Sequence, residues 1–224
     1  MNRGLEIAKD IDVTDEIGAD IMGLQETKKP WNAANKRLYN QQTQLKWPQG
    51  ARNVFSSAPW NYDEKDYMAG GTLLSVNGRT KGRIVETGSD KWGRYCYTTL
   101  RGARDEGIVI INGYRTCHTK TDNPGSLTQY QAEYVGLRES GIANPEPRFQ
   151  FFTDLTALID EKRQQGYRPI VMMDANEDWV AESHKKQGNK LKKFMQQTQL
   201  VDPYYLKFNE APRTYTRGTS RLDM

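Results

Sequence analysis

Three apolar runs in this chain end in groups suited to binding a cation or a phosphate. Ile21-Met22-Gly23-Leu24 leads into Gln25-Glu26, Ile108 to Ile111 leads into Asn112-Gly113-Tyr114-Arg115, and Ile170 to Met173 leads into Asp174-Ala175-Asn176. A strand end is a rigid support, and a carboxylate placed there can be aimed within the small tolerance that catalysis needs. A hard divalent cation such as Mg²⁺ prefers oxygen ligands, keeps several waters, and is typically held by one or two carboxylates together with substrate phosphate. Glu26 and Asp174 would supply such a site, and Asn176 could orient a phosphate or the attacking water. The chemistry implied is phosphodiester hydrolysis. Any one of these ends taken alone reads better as an ordinary cap, because acidic residues and Asn commonly begin turns. Tyr114 alone would be a rim aromatic and Arg115 a surface cation, so the combination carries the argument. Cys117 and His118 do not form a nucleophile pair, since adjacent residues of an extended chain point to opposite faces.

The elements that would position these groups follow from periodicity. Leu5, Ile7, Ala8, Ile11 and Ile17 recur at near-helical spacing before a short buried strand at 20–24, and a polar segment reaching to about residue 50 reads as a helix. AGGTLLSV, GRIVET, WGRYCYTTLR and GIVIINGY read as successive strands with tight turns at Asn77-Gly78, Gly88-Ser89 and Asp105-Glu106-Gly107. A helix is expected from Ser126. A stronger one spans PRFQFFTDLTALIDEKRQQG, with Phe151, Phe152, Leu155, Leu158 and Ile159 on one face and Gly166 as its stop. Residues 169–173 form the strand PIVMM, whose apolar run predicts burial on both faces, and LKKFMQQTQL forms a short helix. Strands with long helices outside them predict a layered α/β sandwich in one domain over residues 1–224.

Composition agrees with a compact core under a polar surface: 36% of residues are hydrophobic and 27% charged. The net charge of +4 favours polyanionic partners without requiring them. Cys96 and Cys117, the only cysteines, fall in strand-like segments, which supports neither a disulfide framework nor a cysteine zinc site. A reducing, intracellular location is expected. No apolar run approaches the roughly 18 residues of a membrane span, so no membrane partner is predicted.

Taken together, Asp20-Ile21-Met22-Gly23-Leu24-Gln25-Glu26-Thr27-Lys28, Gly70-Gly71-Thr72-Leu73, Ile111-Asn112-Gly113-Tyr114-Arg115, Met173-Asp174-Ala175-Asn176 and Ser220-Arg221-Leu222-Asp223 resemble, in order, motifs of the endonuclease/exonuclease/phosphatase superfamily. The likeness is strongest to AP endonuclease-like and retroelement endonuclease domains. The resemblance implies a four-layered α/β/β/α sandwich of two packed sheets with a Mg²⁺ or Mn²⁺ site at one edge. It further implies that Glu26 is the metal ligand and that Asp174 positions or deprotonates the attacking water. Asn176 would contact the scissile phosphate, Tyr114 would lie beside it, and Asp223 would orient a catalytic histidine.

The chain departs from the family pattern at both ends. Asn2 sits one place from where an opening Asn is expected before Gly4-Leu5, and the family's closing Ser-Asp-His motif does not follow Asp223. The expectation is a truncated domain, for instance one part of a larger polypeptide such as a retroelement polyprotein. Neither His184, in a basic segment, nor His118 replaces the closing histidine. Lys185, Lys186, Lys190, Lys192 and Lys193 form the densest basic cluster, and with Arg115 and Trp179 they are candidate contacts to nucleic acid, DNA above all. Trp60, Tyr62, Tyr67 and Trp92 are possible stacking residues, and Asp178 could mark a substrate-side loop. Two alternatives stand beside a DNA endonuclease: a catalytically inactive nucleic-acid-binding relative, and a phosphatase of small phosphorylated molecules.

Overall fold

A computed structural model describes residues 16, 18–47, 49–58, 68–103, 106–119, 128–178, 190–210 and 212–214. Seven strands form two sheets among these residues. The first holds β1 (Ile21–Gln25), β2 (Ala51–Ser56) and β3 (Thr72–Asn77) in the order β1-β3-β2, all antiparallel. A 3₁₀ helix, Gly78–Arg83, carries the chain to the second sheet. That sheet holds β4 (Ile84–Ser89), β5 (Tyr95–Arg101), β6 (Gly107–Tyr114) and β7 (Tyr167–Asp174) in sequence order, antiparallel except for the parallel pair β6–β7. The helices are α1 (Ala33–Lys46), α2 (Gln129–Glu139), α3 (Pro147–Gln164), α4 (Lys190–Gln197) and α5 (Pro203–Phe208).

Alternation along the strands sorts side chains into layers. On β6, Val109 and Ile111 face Phe151, Phe152, Leu155 and Ile159 of α3 and Leu191, Phe194 and Met195 of α4. Ile110 faces the other way, joining Val54, Leu74, Val76, Cys96 and Leu100 between the two sheets. On the first sheet Met22 and Leu73 turn outward to Trp31, Tyr39 of α1 and Trp47. The expected helix–sheet–sheet–helix sandwich is therefore what the chain builds, because each strand carries two apolar faces and each face needs a cover.

A buried amide lies between the sheets. Asn112 is fully buried and donates from Nδ2 to the carbonyls of Leu24 (2.9 Å) and Leu73 (3.0 Å), while its Oδ1 accepts from Gln25 Nε2 at 2.5 Å. A Cβ on Gly23 would stand 2.5 Å from that Oδ1, so the glycine makes room for the amide. Asn112 thus ties the ends of β1 and β3 to β6.

Several expectations are revised. Gly88-Ser89 lie inside β4, and the chain turns instead at Asp90, whose Oδ1 accepts from the Arg94 N–H. Asn77-Gly78 opens a crossing between sheets and not a hairpin. Among the described residues β7 has the edge position, and Ile170 is 48% exposed, so the apolar run PIVMM is not covered on both faces. Cys117 lies beyond the end of β6, and both cysteines are free. β2 was not anticipated, since ARNVFS has only a half-strength alternation. The helix Pro147–Gln164 matches the expected stretch, with Gly166 at φ +87 immediately after it. The predicted helix before residue 20 lies almost wholly outside the described residues. No helix among the described residues is long and apolar enough to cross a membrane.

Replacing Asn112 with Ala would strip two buried carbonyls of their donor. The expected cost is about 3 kcal/mol of unfolding free energy, measured by urea denaturation against the wild-type chain.

Candidate active site

The register of the parallel pair sets Tyr114 directly opposite Asp174, and the Arg115 N–H donates to the Asp174 carbonyl at 2.9 Å. Parity along β6 gives Tyr114 the same side as Asn112, between the sheets. There its hydroxyl hydrogen-bonds Glu26, which follows β1 in the other sheet. Burial is the main reason the Tyr114 phenol resists ionisation, and the charges of Glu26 and Asp174 add to it. The same two carboxylates act on the Cys117 thiol, which burial also pushes up. Glu26, Tyr114, Asp174 and Cys117 therefore meet at one edge of the sandwich.

Two residues at this edge, Glu26 and Asn176, are held in strained backbone. Glu26 (φ +50) and Asn176 (φ +47) both occupy the left-handed region, which costs a non-glycine residue energy and is tolerated where surroundings enforce it. At Asn176 the enforcement is visible. Its N–H donates to Asp174 Oδ1 at 3.0 Å, its Nδ2 donates to the Arg115 carbonyl at 2.8 Å, and its Oδ1 accepts from Cys117 Sγ at 3.0 Å. One Nδ2 hydrogen remains beyond those bonds, since an amide nitrogen carries two. At Glu26 the following Thr27 and Lys28 N–H groups are clamped by the carbonyls of Gly71 (3.0 Å) and Gly70 (2.8 Å). The Glu26 carboxylate itself is 44% exposed and pairs with Lys28 Nζ at 3.3 Å, an exposed contact that adds little to stability.

Arg115 is not the substrate contact expected of it. The residue is 1% exposed, its Nε donates to the Arg148 carbonyl, and its Nη1 donates to the Ala175 carbonyl and to Glu177 Oε2 at 2.5 Å. The guanidinium also lies 4.3 Å from the Phe152 ring centroid. Burial and the neighbouring Arg148 lower its pKa to about 10, with Glu177 opposing. It is a buried strut for the loop after β7. Arg148 is a second strut, donating to the carbonyls of Thr116 (2.5 Å) and Asn176 (3.0 Å). Glu177 completes the set by accepting from the Leu191 N–H at the start of α4.

Sequence reasoning missed Gln25, Asn112, Arg148 and Glu177. Asn112 had a signal, an amide at an inward-facing position of an otherwise apolar strand. Arg148 and Glu177 had none, since nothing local marks a charged residue that will be half-buried. Trp92 and Asp178 are buried, while His118 is exposed and stacks at a tilt on Tyr130. Lys190 pairs with Glu146 at 3.2 Å. Asp223, Trp179, Lys185, Lys186, His184, Trp60, Tyr62 and Tyr67 lie outside the described residues.

The donor set suits a hard cation. Two carboxylates, Glu26 and Asp174, act on Tyr114, and no group of three or more His, Cys, Asp or Glu side chains that could hold a metal ion is found among the described residues. One or two carboxylates are what a hard divalent cation commonly takes from protein, with water and phosphate oxygen supplying the rest.

No family model and no curated protein matches the chain. Solved structures do. The human Nocturnin catalytic domain with bound sulfate anion aligns with 98% of this chain and 73% of its own, at 17% identity and a TM-score of 0.58. An AP endonuclease from Archaeoglobus fulgidus aligns with 97% of this chain and 79% of its own, at 15% identity and 0.54. An endonuclease/exonuclease/phosphatase family protein from Leptotrichia buccalis C-1013-b aligns with all of this chain and 81% of its own, at 12% identity and 0.50. The fold is that of the endonuclease/exonuclease/phosphatase proteins.

Burial alone would raise the Glu177 carboxyl, but Arg115, the Leu191 N–H and Arg148 together hold it below its ordinary 4.5. A depressed folded-state value contributes stability that is complete above 4.5 and lost as pH falls through the lower folded value. Glu177→Gln is therefore expected to unfold about 2 kcal/mol more easily at neutral pH. The gap should close as the medium is acidified below that point, as followed by chemical denaturation at stepped pH.

Proposed function

We propose that this chain, with its endonuclease/exonuclease/phosphatase fold, is a divalent-metal-dependent phosphodiester hydrolase whose substrate is nucleic acid, DNA first. The observation that carries the reading is the convergence of Glu26, Tyr114, Asp174 and Asn176 from three strand ends in two sheets. The sulfate held by the Nocturnin domain and the AP endonuclease among the structural neighbours support a phosphate-cleaving site in this fold. The net charge of +4 supports a polyanionic partner.

In this reading Glu26 holds Mg²⁺ or Mn²⁺, which when bound would offset charge building on the phosphate oxygens. Asp174 accepts the proton of the attacking water, whose oxygen forms the new bond to phosphorus while the bond to the leaving sugar oxygen breaks. The departing oxygen takes its proton from solvent. Asn176 offers its remaining Nδ2 hydrogen to a phosphate oxygen, and its strained, doubly tied backbone keeps that donor from turning away. Tyr114, kept protonated, supplies a neutral hydroxyl beside the same oxygen. Trp179, Lys185 and Lys186 are assigned the contacts to flanking phosphates and bases.

The purified chain should nick plasmid and abasic duplex DNA with Mg²⁺ or Mn²⁺, and Asp174→Asn should slow the reaction about 10²- to 10⁴-fold. Cleavage indifferent to chelator and to Asp174→Asn would sink the proposal. DNA retained but never cut would favour an inactive binding relative. Hydrolysis of an inositol phosphate monoester with DNA left intact would favour a small-molecule phosphatase.

A further inference from the structure

Behind the candidate centre lies a buried charged cluster that none of the preceding chemistry uses. Arg94, 2% exposed, donates from Nε to Asp90 Oδ2 and from Nη2 to Asp154 Oδ2, each at 2.6 Å. Glu133 and Gln129 of α2 are 1% and 4% exposed. Gln129 Nε2 donates to Glu133 Oε1 at 2.7 Å and to the Trp92 carbonyl at 3.0 Å. Three buried polar atoms of this cluster have no partner: Arg94 Nη1, Glu133 Oε2 and Gln129 Oε1. Arg94 and Glu133 feel each other's charge without a direct ion pair. Burial raises the Glu133 carboxyl to about 8, with Asp90 and Asp154 adding to it and Arg94 opposing.

The cluster touches the site through two backbone routes. The Arg94 carbonyl accepts the Tyr114 N–H at 2.7 Å. Gln129 packs its amide so closely on Gly70 that a Cβ there would collide with Oε1, and Gly70, at φ +75, is one of the two residues clamping the turn that follows Glu26. Gly71 is equally constrained, since a Cβ would stand 2.6 Å from Thr27 Oγ1.

We propose that Gln129 and Glu133, with Arg94, are positioning residues that brace the Gly70–Gly71 clamp and thereby set Glu26 to receive a divalent cation. The proposal rests on the reading of Glu26 as the metal ligand. Gln129 touches neither metal nor substrate and acts only through Gly70.

The test follows Mn²⁺ binding to the full chain without substrate, by the electron paramagnetic resonance of the free ion, alongside amide hydrogen exchange at Thr27 and Lys28. Gln129→Leu, with the milder Gln129→Met in case the first does not fold, is expected to weaken Mn²⁺ binding about tenfold or more and to speed exchange at both amides. Glu133→Gln, a neutral isostere, is expected to bind Mn²⁺ within about twofold of wild type, whereas Glu133→Leu should match Gln129→Leu. Glu26→Gln serves as the control. If Glu26→Gln abolishes Mn²⁺ binding while folded Gln129 variants bind and exchange as wild type, the brace is overturned and the ligand reading stands. If Glu26→Gln leaves binding intact, the ligand reading itself falls.

Discussion

Everything at the centre depends on how two sheets are held in register at one end, and that task falls to the buried amide of Asn112. Apolar packing between the sheets is non-directional and would tolerate small slips along the strands. The Asn112 amide does not, because its three bonds to Leu24, Leu73 and Gln25 are lost together if either sheet shifts. A polar group in such surroundings costs free energy unless fully bonded, so the fold has one arrangement that satisfies it. That arrangement fixes where Glu26 lies against Tyr114.

The second constraint is local. Glu26 and Asn176 sit in left-handed backbone, and each is enforced by bonds from a different part of the chain. Asn176 is tied by Asp174, Arg115 and Cys117, and the loop around it by the Arg115–Glu177–Arg148 struts. The Glu26 turn is tied by a diglycine that only glycines could supply at those angles. Strain of this sort persists only where the surroundings over-determine it, and it gives side chains directions that relaxed strand ends would not.

Much of this was legible in the sequence, for identifiable reasons. Strand ends bearing Glu26, Tyr114 and Asp174 stood out because long apolar runs stop abruptly at polar groups, and α3 stood out because its apolar stripe and terminal glycine agree. The reading of Arg115 failed because composition cannot tell a cation that faces solvent from one folded under a ring and paired with an acid sixty-two positions away. β7 was misjudged because an apolar run says that a strand is sticky, not which edge of the sheet it occupies. Asn112 belongs to the motif Ile111-Asn112-Gly113-Tyr114-Arg115, yet its work is done with partners eighty-eight and thirty-nine residues distant.

The parallel pairing of β6 with β7 has a temporal side. Strands β3 to β6 follow one another closely, whereas Asp174 reaches its place opposite Tyr114 only after α2 and α3 have been threaded between the two strands. Closing so long a loop is entropically expensive before its contacts form, so this pairing belongs to the slow part of folding. A nascent or half-folded molecule can carry Glu26 and Tyr114 on formed strands while Asp174 is still unplaced. The Glu26–Tyr114–Asp174 edge is therefore completed only with the final docking event.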